Sequence, residues 1–240
     1  MRTAFSLIEL SIVLVIVGLI VGGVMIGQSM IHQSKLRKAI HEWKAYHTGI
    51  HTFRLKYDCL PGDCRKAVAL GVDTWDGNGN GQIGYIHPGQ YENYRAWYQL
   101  SRTGLIPHKI DTISNLANVN NPKAIGIYYP QSTLTERLGW GFGVESWNLR
   151  LGQGVGGHSE IGRTDSQNAS LNYGVMPEDA QMIDSKMDDG MPNTGIVRDA
   201  GTGGGNARIC RTNTHSTAAN IPYAKNDSGG NCALLFSKSF

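Results

Sequence analysis

Four groups of side chains in this sequence have the types and spacing to do chemistry. The first is a single acid. Glu9 lies inside an almost unbroken run of Ile, Leu, Val and Gly from Phe5 to Ile26. A carboxylate within a membrane helix costs on the order of 3 kcal/mol on insertion scales, so such a residue usually has a partner and a task. The second group is "WDGNGNGQIGY", where Asp76, Asn78 and Asn80 alternate, Gly81 and Gln82 follow, and Ile83 comes next. Short oxygen side chains at alternate positions on a tight turn converge on one point, as in a D-x-[DN]-x-[DN]-G calcium loop. The bidentate Glu that ends such a loop is replaced by His87, and Glu92 could close the site from the start of the following helix. Without an ion the stretch is a Gly/Asn turn; calcium, as a structural staple, is the expectation.

The third group is "EDAQMIDSKMDDGMP". Asp188 and Asp189 fall at the C-terminal end of a predicted helix, where the dipole disfavours negative charge. Asp184, one turn earlier, adds like-charge repulsion, and Lys186 offsets part of it. A bound cation or a basic partner surface would resolve the conflict, and a solvated acidic end would leave it standing. The fourth group is the cysteines. Cys59 and Cys64 flank a Pro-Gly turn, and Cys210 and Cys232 bracket a loop near the end of the sequence. These four residues allow three disulfide connectivities. Their spacings do not suit a zinc site.

Other chemistries find little support. "HEWKA" begins like a zinc-protease motif, but Ala45 stands where its second His should be. His47 and His51 share a helical face and could bind a metal, although such pairs more often line an interface. Tyr91, Tyr94, Arg95, Trp97 and Tyr98 mix aromatic and basic character as single-strand binders do; packing of a core explains them better. A formal net charge of +3 gives no argument for nucleic acid. No nucleophile elbow or phosphate-binding loop occurs, and the expectation is a protein that is not an enzyme.

These groups need elements to position them. The chain has 240 residues, 40% of them hydrophobic, which suits one large folded unit or two small ones. The apolar run matches a bilayer core in length, at ~1.5 Å per residue against ~30 Å. It continues without proline into "QSMIHQSKLRK". Leu36, Ile40, Trp43, Tyr46, Ile50, Phe53 and Tyr57 follow at spacings of 4, 3, 3, 4, 3 and 4. That is one apolar stripe of an amphipathic helix. Lys35, Arg37, Lys38, Glu42, Lys44 and Arg54 fall on its other face. "DCLPGD" ends the helix with turn chemistry. Gly18, Gly22, Gly23 and Gly27 lower helix propensity, which suits either close packing between helices, the favoured reading, or local melting when the helix leaves the bilayer.

Residues 58–240 then read as an α+β head of short segments between turns. Helices are predicted over Tyr91–Thr103 and from Pro177 to Asp189. "AIGIYYP", "GFGVESWNLRLG", "LNYGVM" and "CALLFSKSF" are strand-like. An antiparallel sheet packed on the amphipathic half of the long helix fits this pattern. The expected divisions are 1–4, 5–26 for the lipid-facing half of the helix, 27–57 for its amphipathic half, and 58–240 for the head.

The stretch "A-FSLIEL" resembles the class III leader of type IV prepilins and type II secretion pseudopilins. The resemblance implies that residues 1–4 are a leader peptide. A prepilin peptidase would cut between Ala4 and Phe5 and methylate the new amine of Phe5. Glu9 would be the family's fifth mature residue, which pairs with the N-terminal amine of a neighbouring subunit. Family members usually have Gly before the cut, where this chain has Ala4, and many have a proline in the helix, which this chain lacks. "FRLKYDCLPGD" and "ID-x-K-x-DDG-x-P" also resemble segments of prepilin-like proteins. Cys210–Cys232 would resemble the C-terminal disulfide loop of many pilins, with Cys59–Cys64 as the other pair. Calcium-stabilised loops are known among pseudopilins, generally near the C-terminus.

The resemblance implies a single-pass inner-membrane precursor with a cytoplasmic N-terminus, and a periplasmic or surface filament after assembly. Its partners would be copies of itself or sister pilins, the peptidase, and an inner-membrane assembly platform with its ATPase. A second reading is a minor tip subunit, or a membrane-anchored calcium-dependent adhesin whose head does the binding.

Overall fold

The three- and four-residue spacing of the apolar stripe requires a helix, and α1 (Leu7–Tyr57) provides it as 51 residues, about 76 Å long. The computed structural model describes residues 6–83, 85–87, 90–110, 125–136, 138–142, 149–152, 175–199, 210, 221–224 and 232–236. Ser6 caps α1. Asp58 ends it in the left-handed region (φ 53°), its N–H donating to the Arg54 carbonyl at 2.9 Å.

The first half of α1 is exposed apart from half-buried Gly27, and none of its apolar side chains is buried against the described residues. It is long and apolar enough to cross a membrane, which is compatible with a single-pass anchor. A signal sequence has the same character, but this helix runs on unbroken into the head. In its second half Leu36, Ala39, Tyr46, Gly49, Ile50 and Phe53 are buried. Every member of the expected stripe is buried or partly buried there. Gly49 marks the closest approach: a Cβ would sit 2.7 Å from the Leu105 carbonyl oxygen.

The head is α+β in its described parts. A short hairpin of β1 (Tyr85–His87) and β2 (Gln90–Tyr91) precedes α2 (Glu92–Arg102). β3 (Gly139–Phe142) and β4 (Leu149–Gly152) pair antiparallel. α3 (Pro177–Met187), β5 (Val197–Asp199) and β6 (Leu234–Phe236) follow. The larger sheet has the order β3-β4-β6-β5, antiparallel throughout. Both predicted head helices are present, each a little shorter than expected. Of the strand-like runs, 125–130 forms a turn closed by a bridge between Ile125 and Tyr129 rather than a strand. Only Val175 and Met176 of "LNYGVM" are described, and Val175 bridges to Cys232.

Aromatic rings join the sheet to α1. Trp43 stacks on Phe236 with centroids 5.7 Å apart, and Tyr46 meets Trp140 edge-on at 5.7 Å and Trp97 at 5.0 Å. Trp97, Tyr94 and Arg95 are buried and Tyr98 is partly buried, so these four residues of α2 pack in the core, whereas Arg102 at the helix end is exposed. Arg95 pairs with Asp73 at 2.7 Å, and Gln99 donates to the same carboxylate at 2.9 Å. That network fixes α2 against residues 59–83. α3 is tied to α1 by His32 and Asp179, 2.6 Å apart.

Candidate functional site

Ala4 and Phe5 lie outside the described residues. Glu9 has a partner within its own helix. Its Oε2 accepts the Ser6 N–H at 3.0 Å, while Ser6 Oγ accepts from Ile8 N–H at 3.3 Å. This is a capping box, which satisfies amide donors left over at a helix start.

The loop at 76–82 is knitted together by its own side chains. Asp76 Oδ1 accepts the Val68 N–H at 2.9 Å. Asn78 Oδ1 accepts from Asn80 N–H, and Asn80 Oδ1 from Gln82 N–H, both at 2.8 Å. Glu92 does reach the loop: Oε1 accepts the Asn78 N–H at 3.0 Å. Asp63, from the Cys59–Cys64 turn, accepts from Asn80 at 3.1 Å and from Gly81 at 2.8 Å through separate oxygens. The role of Asp63 was not legible in the sequence, because the amides it binds lie 17 and 18 residues away. Here backbone N–H groups converge on two buried carboxylates.

At the end of α3 the carboxylates themselves converge. Asp184, Asp188 and Asp189 offer oxygens within 4.8 Å of one another, a group that could hold a metal ion. They grade from buried through half-buried to exposed, as the wall of a surface site would. α3 stops at Met187, so Asp188 leaves the helix and accepts the N–H groups of Ile196 and Val197. Asp189 accepts from Met191 N–H at 2.8 Å and from Thr194 Oγ1–H at 2.6 Å. The conflict with the helix dipole is thus relieved in part by donors from the following loop. Asp184 accepts from Tyr223 O–H at 2.8 Å and from Gly190 N–H at 3.2 Å. Burial pushes its carboxyl up to about 6; these two donors oppose the shift and its two acidic neighbours add to it. Burial likewise raises the Tyr223 hydroxyl, with Asp184 adding to it.

Cys59–Cys64 and Cys210–Cys232 are disulfides, and no described cysteine is free. His47 and His51 lie with ring centroids 4.5 Å apart, and Trp43 packs on His47.

Glu42, placed by its spacing on the polar face of α1, turns instead toward the head. Its carboxylate accepts from Trp140 Nε1–H at 2.8 Å, Thr133 N–H at 2.9 Å and Ser132 Oγ–H at 3.1 Å. Those donors lie 90 or more residues away, so no local pattern could have announced them. Comparison with protein-family models, curated proteins and solved structures gives no significant match.

Proposed function

We propose that this protein is a subunit of a type IV pilus-like or type II secretion pseudopilus filament, cut between Ala4 and Phe5 and assembled through α1. One observation carries the reading. A single helix is apolar and exposed over its first half and buries one face in the head over its second. Such a helix leaves a subunit with one face that needs lipid or other helices. Gly18, Gly22, Gly23 and Gly27 have open space beside them, where a neighbouring helix could approach closely. In the filament Glu9 would exchange its contact with Ser6 for the methylated amine of Phe5 in the adjacent subunit. A charge pair in a dry core is much stronger than in water, so that exchange would set axial register. The implied partners are the peptidase, the assembly platform with its ATPase, and sister subunits. Catalysis plays no part in this reading.

For the head we infer a hard divalent cation such as calcium at Asp184, Asp188 and Asp189, because the donors are all oxygen. A scarce tip subunit or anchored adhesin is the second reading, favoured by the large share of the chain outside α1. Mass spectrometry of sheared filaments and of membranes tests the main reading. Abundant filament protein beginning with N-methyl-Phe5 supports it. Protein confined to membranes and beginning with Met1 overturns it. Glu9→Ala is expected to insert normally yet give at least about tenfold less filament.

A further inference from the structure

A cavity of about 480 Å³ opens where α1 ends, beside the Cys59–Cys64 disulfide. Its volume lies within the ~300–1,000 Å³ typical of small-molecule sites. Arg54, Arg65 and Lys66 line it, with Asp58 and Asp63. Asp63 is already held: both its oxygens accept loop amides. Neither Arg65 nor Lys66 forms an ion pair with a described residue.

Arg65 is also set in place before any ligand arrives. Its Nε–H donates to the Asn78 carbonyl at 2.5 Å, and its side chain lies across Gly79, where a Cβ would collide with it. A guanidinium anchored through Nε keeps its two terminal amino groups for another acceptor, in the planar fork that suits a carboxylate. Three cations face two carboxylates and the negative end of α1, an excess that matches one negative charge better than two. Gly79 and Gly81 contribute only backbone to the wall, so a ligand can approach closely there.

We propose that this cavity binds a small organic carboxylate of about monosaccharide size, gripped by Arg65 with Lys66 and Arg54 around it. The proposal stands apart from the filament reading, since none of these residues lies in the exposed half of α1.

The test is calorimetric titration of the full chain in detergent micelles with sodium glucuronate, with glucose as the neutral counterpart. Saturable glucuronate binding that weakens with added salt is expected, and none with glucose. Arg65→Gln should raise Kd at least about tenfold, the loss of roughly one charged hydrogen bond. Lys66→Gln, at a side chain with no ion pair to a described residue, should weaken binding severalfold and keeps the test valid if Arg65→Gln disturbs the loop. Absence of glucuronate binding, equal binding of glucose, or tighter binding of inorganic phosphate would each overturn the proposal.

Discussion

Between Leu7 and Lys35 no residue of α1 is buried, whereas six are buried between Leu36 and Phe53. Each half also carries a carboxylate with a distinct role. Glu9 accepts one backbone N–H from its own helix start. Glu42 accepts three donors from the head. The backbone is continuous helix through both halves, so propensity does not separate them. What separates them is whether the other surface of the contact lies within the chain. The second half finds its partners in the head, and the first half finds no burying surface among the described residues.

Substitution in the two halves should therefore give opposite readouts in chemical denaturation of the full chain in detergent. Phe53 is fully buried, and Phe53→Ala is expected to lower head stability by about 4 kcal/mol. Leu14→Ala, an equally apolar change in the exposed half, should stay within about 0.5 kcal/mol. A comparable loss from both would erase the distinction between the halves.

The acids sharpen the same contrast. Glu42→Ala leaves the Trp140 indole N–H, the Thr133 amide and the Ser132 hydroxyl without their acceptor, and should cost about 3 kcal/mol. Glu42→Gln, which retains one acceptor oxygen, should recover part of that. Glu9→Ala should leave the denaturation midpoint of the head unchanged. If Glu42→Ala is neutral, the contacts of Glu42 do not hold the head on α1. A smaller loss, about 1–2 kcal/mol, is expected for Gly49→Ala, because the new Cβ would press on the Leu105 carbonyl.

The contrast also explains what could be read from sequence. The stripe from Leu36 to Tyr57 was legible because helix periodicity is local. α2 and α3 were legible for the same reason, helped by Pro177 at a helix start and Gly104 and Gly190 after helix ends. Glu42 looked like a surface residue because its donors are remote in sequence. Asp63 was hidden likewise. The sheet order was beyond reach, since its strands run three or four residues and β3, "GWGF", is half glycine. At the candidate cation site the sequence identified the three acids and their conflict with the helix. It did not show that the loop from Met191 to Val197 turns back to donate to two of them.

The smallest expected effect concerns His108, whose Nδ1 lies 2.9 Å from the Tyr46 hydroxyl. Burial lowers its pKa below the ordinary 6.5, and the nearby Glu42 charge opposes the shift. A histidine lowered in the folded state takes its proton first in the unfolded chain. Its contribution is present above about pH 6.5 and declines as the pH falls below that value. Asp184, whose carboxyl is raised to about 6 by burial, takes its proton first in the folded chain and acts the other way over the same range. The test is therefore a difference: between about pH 7 and pH 5.5 the denaturation midpoint of His108→Gln should fall less, or rise more, than that of the parent chain. An unchanged slope in that variant would assign the dependence to other groups. Glu42→Gln should act in the opposite direction and steepen the decline. Removing the negative charge lowers the folded pKa of His108 further, which widens its gap from the unfolded value. Glu42 would then act on the head in two ways, by holding Trp140 and by moderating the acid sensitivity of the histidine beside Tyr46. Glu9, with one local contact, can do neither.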